Sequence, residues 1–181
     1  MLPLLSIPPP CGIHVGGLLA LRLWPVANVR TYAEPVASLI PRALGLVDPL
    51  NFADLYFMPD SAGFDEEPDE TEQGLLYRVK LPLLIASDAP DVSEAVARLA
   101  GGRYLVAFLD GNGRTKLAGT PEWPLRLLIG TETGRRPTDR NALPFTFTGV
   151  LPGRAPFYLE QELPPPTARR AWSAGFNFGF S

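Results

Sequence analysis

Polar and apolar positions alternate most regularly in GLLYRVKLPLLIAS (74–87), where Tyr77, Val79 and Leu81 fall on one side and Leu76, Arg78 and Lys80 on the other. A period of two with one polar face predicts a strand. The same reading predicts strands in LLALRLWPV (18–26), where Arg22 is the only charge, in DLYFMP (54–59), and in RYLVAFLD (103–110). It predicts others in RTKLAG (114–119), in LRLLIG (125–130), and in LPFTFTGV (143–150), where Phe145 and Phe147 face away from Thr146 and Thr148. A further short strand is expected within 157–163. One segment carries the helical period instead. In SDAPDVSEAVARLAGG (87–102), Val92, Ala95, Val96 and Leu99 form a stripe at i, i+3, i+4 and i+7. Asp88 is placed to cap this helix, Pro90 and Asp91 suit its first turn, and Gly101-Gly102 end it. Such a short amphipathic helix predicts a lid on a sheet.

The connections are as informative as the strands. Asp110-Gly111-Asn112-Gly113 supplies residues that tolerate positive φ, so 103–110 and 114–119 read as a hairpin. In TPEWPL (120–125), Pro121 and Pro124 fix an elbow around Trp123, a side chain large enough to plug the end of a core. The strands at 54–59 and 74–87 read as a second hairpin, with residues 60–73 as a long tip. Between 33 and 51 the pattern is ambiguous: short helical patches are cut by Pro35, Pro41 and Pro49.

Proline accounts for 21 of 181 residues, more than twice the usual ~5%, which excludes long helices and favours extended segments and edge strands. The predicted class is therefore mainly β with one helix (α+β): an antiparallel β-sandwich or open barrel with a flanking short helix and extended terminal arms. The predicted organisation is an N-terminal arm (1–17), one β-rich domain (18–163) with an acidic hairpin tip (60–73), and a C-terminal arm (164–181). The second arm carries Trp172, Phe176, Phe178 and Phe180 among Gly, Asn and Ser. Aromatic groups of this kind are costly to leave in water, so they either tuck onto the body or add to a neighbour's sheet edge.

Charge sharpens this picture. The net charge of −3 hides a run, DSAGFDEEPDETE (60–72), with seven acids and no base. Without those seven, 12 acids face 16 bases, a balance of about +4. The run reads as a solvated loop or as one half of a head-to-tail contact between copies. In the second reading the contacts are Asp65, Glu66, Glu67, Asp69 and Glu70, with Arg135, Arg136, Arg140, Trp172, Phe176, Phe178 and Phe180 as the remaining candidates. The sequence pI of about 5.2 argues against a dedicated nucleic-acid binder despite the arginine cluster. No stretch reaches the 18 or so unbroken apolar residues of a membrane-spanning helix, and the prolines near the N-terminus disfavour a secretion signal.

Catalytic chemistry is not written in the chain. There is no phosphate loop, dinucleotide fingerprint or nucleophile elbow, and Asp110-Gly-Asn-Gly has the wrong spacing and context for the first two. The single histidine, His14, cannot build a metal site alone, and the single cysteine, Cys11, cannot form an internal disulfide. Glu160 with Glu162, and Asp110 with Asp139, are the nearest approaches to a paired carboxylate, and neither pair has a reason to be buried. The expectation is no enzyme, no cofactor and no metal. The alternative to assembly is a monomeric β-sandwich binding module that recognises a glycan or peptide through Trp123, Trp172 or Tyr104.

One ordered set of short motifs runs from 60 to 158. It comprises the acidic run; Tyr77, Val79 and Pro82; Leu99 and Gly101; Asp110, Asn112 and Gly113; and Leu117 with Gly119-Thr120-Pro121-Glu122 and Pro124-Leu125-Arg126-Leu127. Asp139-Arg140-Asn141, Phe145, Phe147, Gly149 and Ala155-Pro156-Phe157-Tyr158 complete it. This order resembles a group of structural proteins encoded in prophages of Bacteroidetes-type bacteria. The resemblance implies a virion component of the tail or neck, tube- or terminator-like, assembled in the host cytoplasm. It implies a β-sandwich or barrel with a flanking helix that forms rings or tubes. Its partners would be copies of itself and other tail or neck proteins.

Overall fold

The computed structural model describes residues 15–72, 74–86, 90–132, 141–159 and 163. The chain is mainly β with a single helix among these residues. The long strands are β1 (Leu18–Pro25), β6 (Asp65–Thr71), β7 (Gly74–Ala86), β8 (Arg103–Asp110), β10 (Leu125–Ile129) and β11 (Ala142–Leu151), with a shorter β9 (Thr115–Ala118). Two- and three-residue strands fill in around them: β2 (Val29–Thr31), β3 (Leu39–Ile40), β4 (Gly45–Leu46), β5 (Ala53–Asp54) and β12 (Phe157–Tyr158). The helix, α1, is Pro90–Leu99; the expected cap Asp88 lies outside the described residues.

The alternation seen in the sequence is the alternation of burial. In β7, Val79, Leu81, Leu83 and Ile85 are buried while Arg78 and Lys80 are exposed; in β11, Phe145 and Phe147 point inward between Thr146 and Thr148. β1 and β8 behave differently, because both of their faces are covered. Leu21 and Leu23 with Tyr104, Val106 and Phe108 enter one core; Ala20 and Trp24 with Leu105 and Ala107 enter another.

Two cores exist because the sheet forks at β8. One edge of β8 pairs with β1 along its whole length, from Leu18↔Asp110 to Pro25↔Tyr104. The other edge is shared: Val106–Leu109 pair with β9, while Arg103 and Tyr104 pair with β10. The elbow at 120–124 makes this possible by carrying the chain from β9 to β10 on the same edge. Gly119 turns it at φ +90, with any added Cβ 3.2 Å from the Tyr104 carbonyl, and the Trp123 amide donates to Thr120 Oγ1 at 3.0 Å. Trp123 itself was expected to plug the core, yet it is 43% exposed: the prolines hold its backbone at the branch and aim the ring outward. The branch through β9 continues to β12 and β3, whose parallel pairing makes the sheet mixed; the branch through β10 continues to β11, β7 and β6.

The second branch curls back towards β1 as an open barrel around the larger core. Residues 55–63 close the gap without forming a strand. Leu55 N–H donates to Leu21 O and Leu18 N–H to Ala62 O on the β1 side; Met58 N–H donates to Leu84 O and Gly63 N–H to Pro82 O on the β7 side. The strand expected at 54–59 is thus confined to Ala53–Asp54, and its remainder is a seam between two strands that do not pair. α1 crosses the barrel end where β1, β7 and β10 finish and β8 and β11 begin, resting Val92, Val96 and Leu99 on the core. Ala95, expected in the same stripe, is exposed. Tyr104 ties the helix down by donating its hydroxyl to Leu99 O at 2.8 Å.

The smaller core lies on the opposite face of β1, β8 and β9. It centres on Trp24, which meets Tyr158 edge-to-face at 6.5 Å, and is covered by residues 26–46 and by Leu163. The ambiguous stretch at 33–51 therefore contains short strands and turns, with no helix. The expected strand at 157–163 is β12 alone among the described residues.

Candidate functional site

The acidic run forms a strand and not a loop, and this changes the meaning of the expected hairpin tip. β6 pairs antiparallel with the first half of β7, from Asp65↔Lys80 to Thr71↔Gly74, so the hairpin is β6–β7 and its tip is only the turn after Thr71. β6 makes a strand without large apolar residues because β7 supplies a template and because Phe64, just before it, is anchored against Phe108 with ring centroids 4.5 Å apart. At the turn, Thr71 Oγ1 donates to Gly74 O at 2.9 Å. Among the described residues β6 is the last strand of its branch, and Pro68, which has no N–H to donate, suits such an edge.

Register sorts the acids. Asp65, Glu67 and Asp69 occupy the solvent face, opposite Lys80, Arg78 and Leu76; the Arg78 guanidinium donates to Asp69 Oδ2 at 2.9 Å. That pair is exposed and contributes roughly 0–1 kcal/mol. Glu66 faces inward opposite Val79, and its side chain is only 6% exposed. Its carboxylate accepts the Ala155 amide at 2.6 Å and Arg154 Nε at 2.9 Å, pinning the hairpin to the segment after β11. The hydrogen bond and charge of Glu66 raise the Arg154 pKa still further above its ordinary value. Glu70 is exposed near the tip, opposite the exposed Leu75. Of the five expected acidic contacts, Glu66 is thus a structural anchor, Asp69 is paired with Arg78 at the surface, and Asp65, Glu67 and Glu70 are exposed. Arg154 gave no sequence signal, since its role depends on a partner 88 positions away.

Arg135, Arg136, Arg140, Trp172, Phe176, Phe178 and Phe180 lie outside the described residues, as do Cys11, His14, Asp139, Glu160 and Glu162. Tyr104 is buried and hydrogen-bonded to the helix end, with a pKa raised by desolvation, so it cannot form a recognition platform with the exposed Trp123. Asp110 serves the turn: its Oδ1 accepts the Asn112 and Arg114 amides at 2.9 and 2.8 Å. Asn112 in turn clamps Val15, its Oδ1 accepting Val15 N–H and its Nδ2 donating to Val15 O. Among the described residues no three His, Cys, Asp or Glu side chains gather as metal ligands, and no helix is long and apolar enough to cross a membrane.

Fold and surface together define a mainly β, α+β protein with a forked sheet, an open barrel and an acidic edge strand. No protein-family model, curated protein or solved structure matches the chain.

Proposed function

We propose that this protein is a non-enzymatic structural subunit that assembles with copies of itself into rings or tubes, as in a phage tail or neck. The observation that carries this reading is the acidic edge strand β6. An edge strand offers unpaired backbone donors and acceptors to another chain. Two copies of β6 side by side would set Asp65, Glu67 and Asp69 against the same acids, so charge opposes the two-fold pairing of identical edges. A basic segment on a different face of the next copy suits it better, and the remainder of the chain carries the positive balance. Contact between unlike surfaces is the heterologous kind, which closes into rings or extends into tubes. The resemblance over 60–158 supports the tail or neck setting.

The mass of the purified protein by light scattering, with negative-stain images of the same fraction, tests the reading. Rings or tubes that dissociate at high salt are expected, because screening weakens the edge contact. Asp65→Asn, Glu67→Gln and Asp69→Asn together should weaken assembly and leave the melting temperature unchanged; Glu66 is excluded because it anchors the fold. A monomer near 20 kDa at every concentration and salt would overturn self-assembly, and unchanged particles from the triple variant would remove β6 from the contact.

A further inference from the structure

A second pair of surfaces lies at the two ends of the β1–β8 ladder. Beyond the end where Pro25 pairs with Tyr104, Asn28 organises a loop at 47–52. Asn28 is buried; its Nδ2 donates to Asp48 O and Asn51 O at 2.9 and 2.8 Å, and its Oδ1 accepts the Asp48 amide at 2.8 Å. The Val47 amide donates to the Asn28 carbonyl at 2.9 Å, and the Leu50 amide to Asp48 Oδ1 at 2.9 Å. Every one of these bonds fixes backbone, while the apolar side chains they display are left uncovered: Leu50 is 83% exposed and Val47 68%. Single exposed apolar residues are ordinary, but a rigid loop that spends a buried amide on presenting two of them resembles a binding anchor.

At the other end of the ladder, where Leu18 pairs with Asp110, the sheet holds an open groove of about 600 Å³. Its apolar lining includes Leu39, Leu109, Phe157, Leu159 and Leu163, with Arg114 at its polar side. The volume falls within the roughly 300–1,000 Å³ typical of binding sites. Five residues of β8 separate Tyr104 from Leu109, roughly 17 Å of strand, so loop and groove cannot meet within one molecule.

We propose that the Val47–Leu50 loop of one copy seats in the groove of the next. The match is apolar against apolar, and Asp48 on the loop would approach Arg114 beside the groove with opposite charge. The contact joins unlike ends of the same strand pair, so it propagates in one direction along the ladder. It rests on the self-assembly reading and adds to it a second contact, independent of β6.

The test uses the full chain in a Cys11→Ser background, with Leu50→Cys in one sample and Leu159→Cys in another. Mild oxidation of the mixture should yield a disulfide-linked mixed dimer that neither sample gives alone. Leu50→Asp, at a side chain too exposed to matter for folding, should raise the concentration needed for assembly about tenfold or more at unchanged melting temperature. Assembly that ignores Leu50→Asp, with no mixed dimer, overturns this contact and leaves self-assembly standing. A monomeric parent without a mixed dimer overturns both; a monomeric parent that still gives the mixed dimer supports the contact and removes the stable assembly. The competing occupant is the aromatic segment after Leu163 of the same chain. If truncation after Leu163 and Leu159→Asp lower the melting temperature alike while assembly persists, the groove belongs to that segment and the proposal falls.

Discussion

Asn28→Ala isolates the cost of one buried amide. The substitution deletes three side-chain hydrogen bonds and leaves the Asp48 amide and the Asp48 and Asn51 carbonyls without their partner. Each such bond contributes a net ~0.5–1.5 kcal/mol, and an orphaned group that water cannot reach costs more. The loop itself is exposed, so water can re-satisfy part of it, and the expected loss is about 2–3 kcal/mol. For a chain of this length that corresponds to a fall in melting temperature of about 4–12 °C. Urea unfolding should show a lower midpoint at unchanged m, since the same surface is exposed on unfolding. Asn28→Asp sharpens the test. It sets a carboxylate oxygen against two carbonyls, which raises its folded pKa above the ordinary ~3.9. A raised pKa makes the variant relatively most stable at low pH, where the protonated group can donate, and its deficit against the parent should grow as pH rises from about 4 through the folded value. Asn28→Ala within ~0.5 kcal/mol of the parent, or a pH-independent deficit for Asn28→Asp, would refute the claim that this amide organises the loop.

Two further outcomes follow from the geometry. Gly119→Ala should destabilise by roughly 1 kcal/mol or more, because φ +90 is strained for an L side chain and the new Cβ meets the Tyr104 carbonyl; an unchanged urea midpoint would mean that the branch tolerates another backbone path. Tyr32 has its pKa pushed up to about 12, first by burial and then by Glu34. Its neutral phenol therefore stabilises the fold below pH 10, and this contribution is lost between about pH 10 and 12; ultraviolet titration should show late-ionising tyrosines, Tyr104 among them, and Tyr32→Phe should remove one of these.

Strands whose own residues pay for burial were legible in the sequence, and strands that depend on a partner were not. β7 and β11 carry alternation, β8 is a short apolar run bounded by Arg103 and Asp110, and the β8–β9 turn announced itself through Asp110-Gly-Asn-Gly, where Gly113 does take φ +76. β6 has no apolar position to alternate, so its acids read as a loop; only the β7 template makes it a strand. β3, β4, β5 and β12 are too short to show a period, and the aromatic stretch at 54–59 reads as a strand although most of it only bridges β1 and β7. The acidic surface was visible as composition, but which acid turns inward was decided by register. The loop at 47–52 left only Asp48-Pro49 as a trace, since the residue that builds it lies 20 positions earlier.

The forked β8 also governs how the chain must mature on the ribosome. β1 is an apolar strand made early, yet Leu21 pairs with Phe108, 87 positions later. At about 5–20 residues per second, translation leaves β1 without that neighbour for roughly 4–17 s. Arg22 and Asp54 are positioned to bridge part of this interval. They form a two-pronged ion pair at 2.6 and 2.8 Å, with Phe52 lying 4.2 Å from the guanidinium, and all three residues emerge well before β8. β5 can thus occupy one edge of β1 while the other waits, leaving a nascent chain with one sticky edge in place of two.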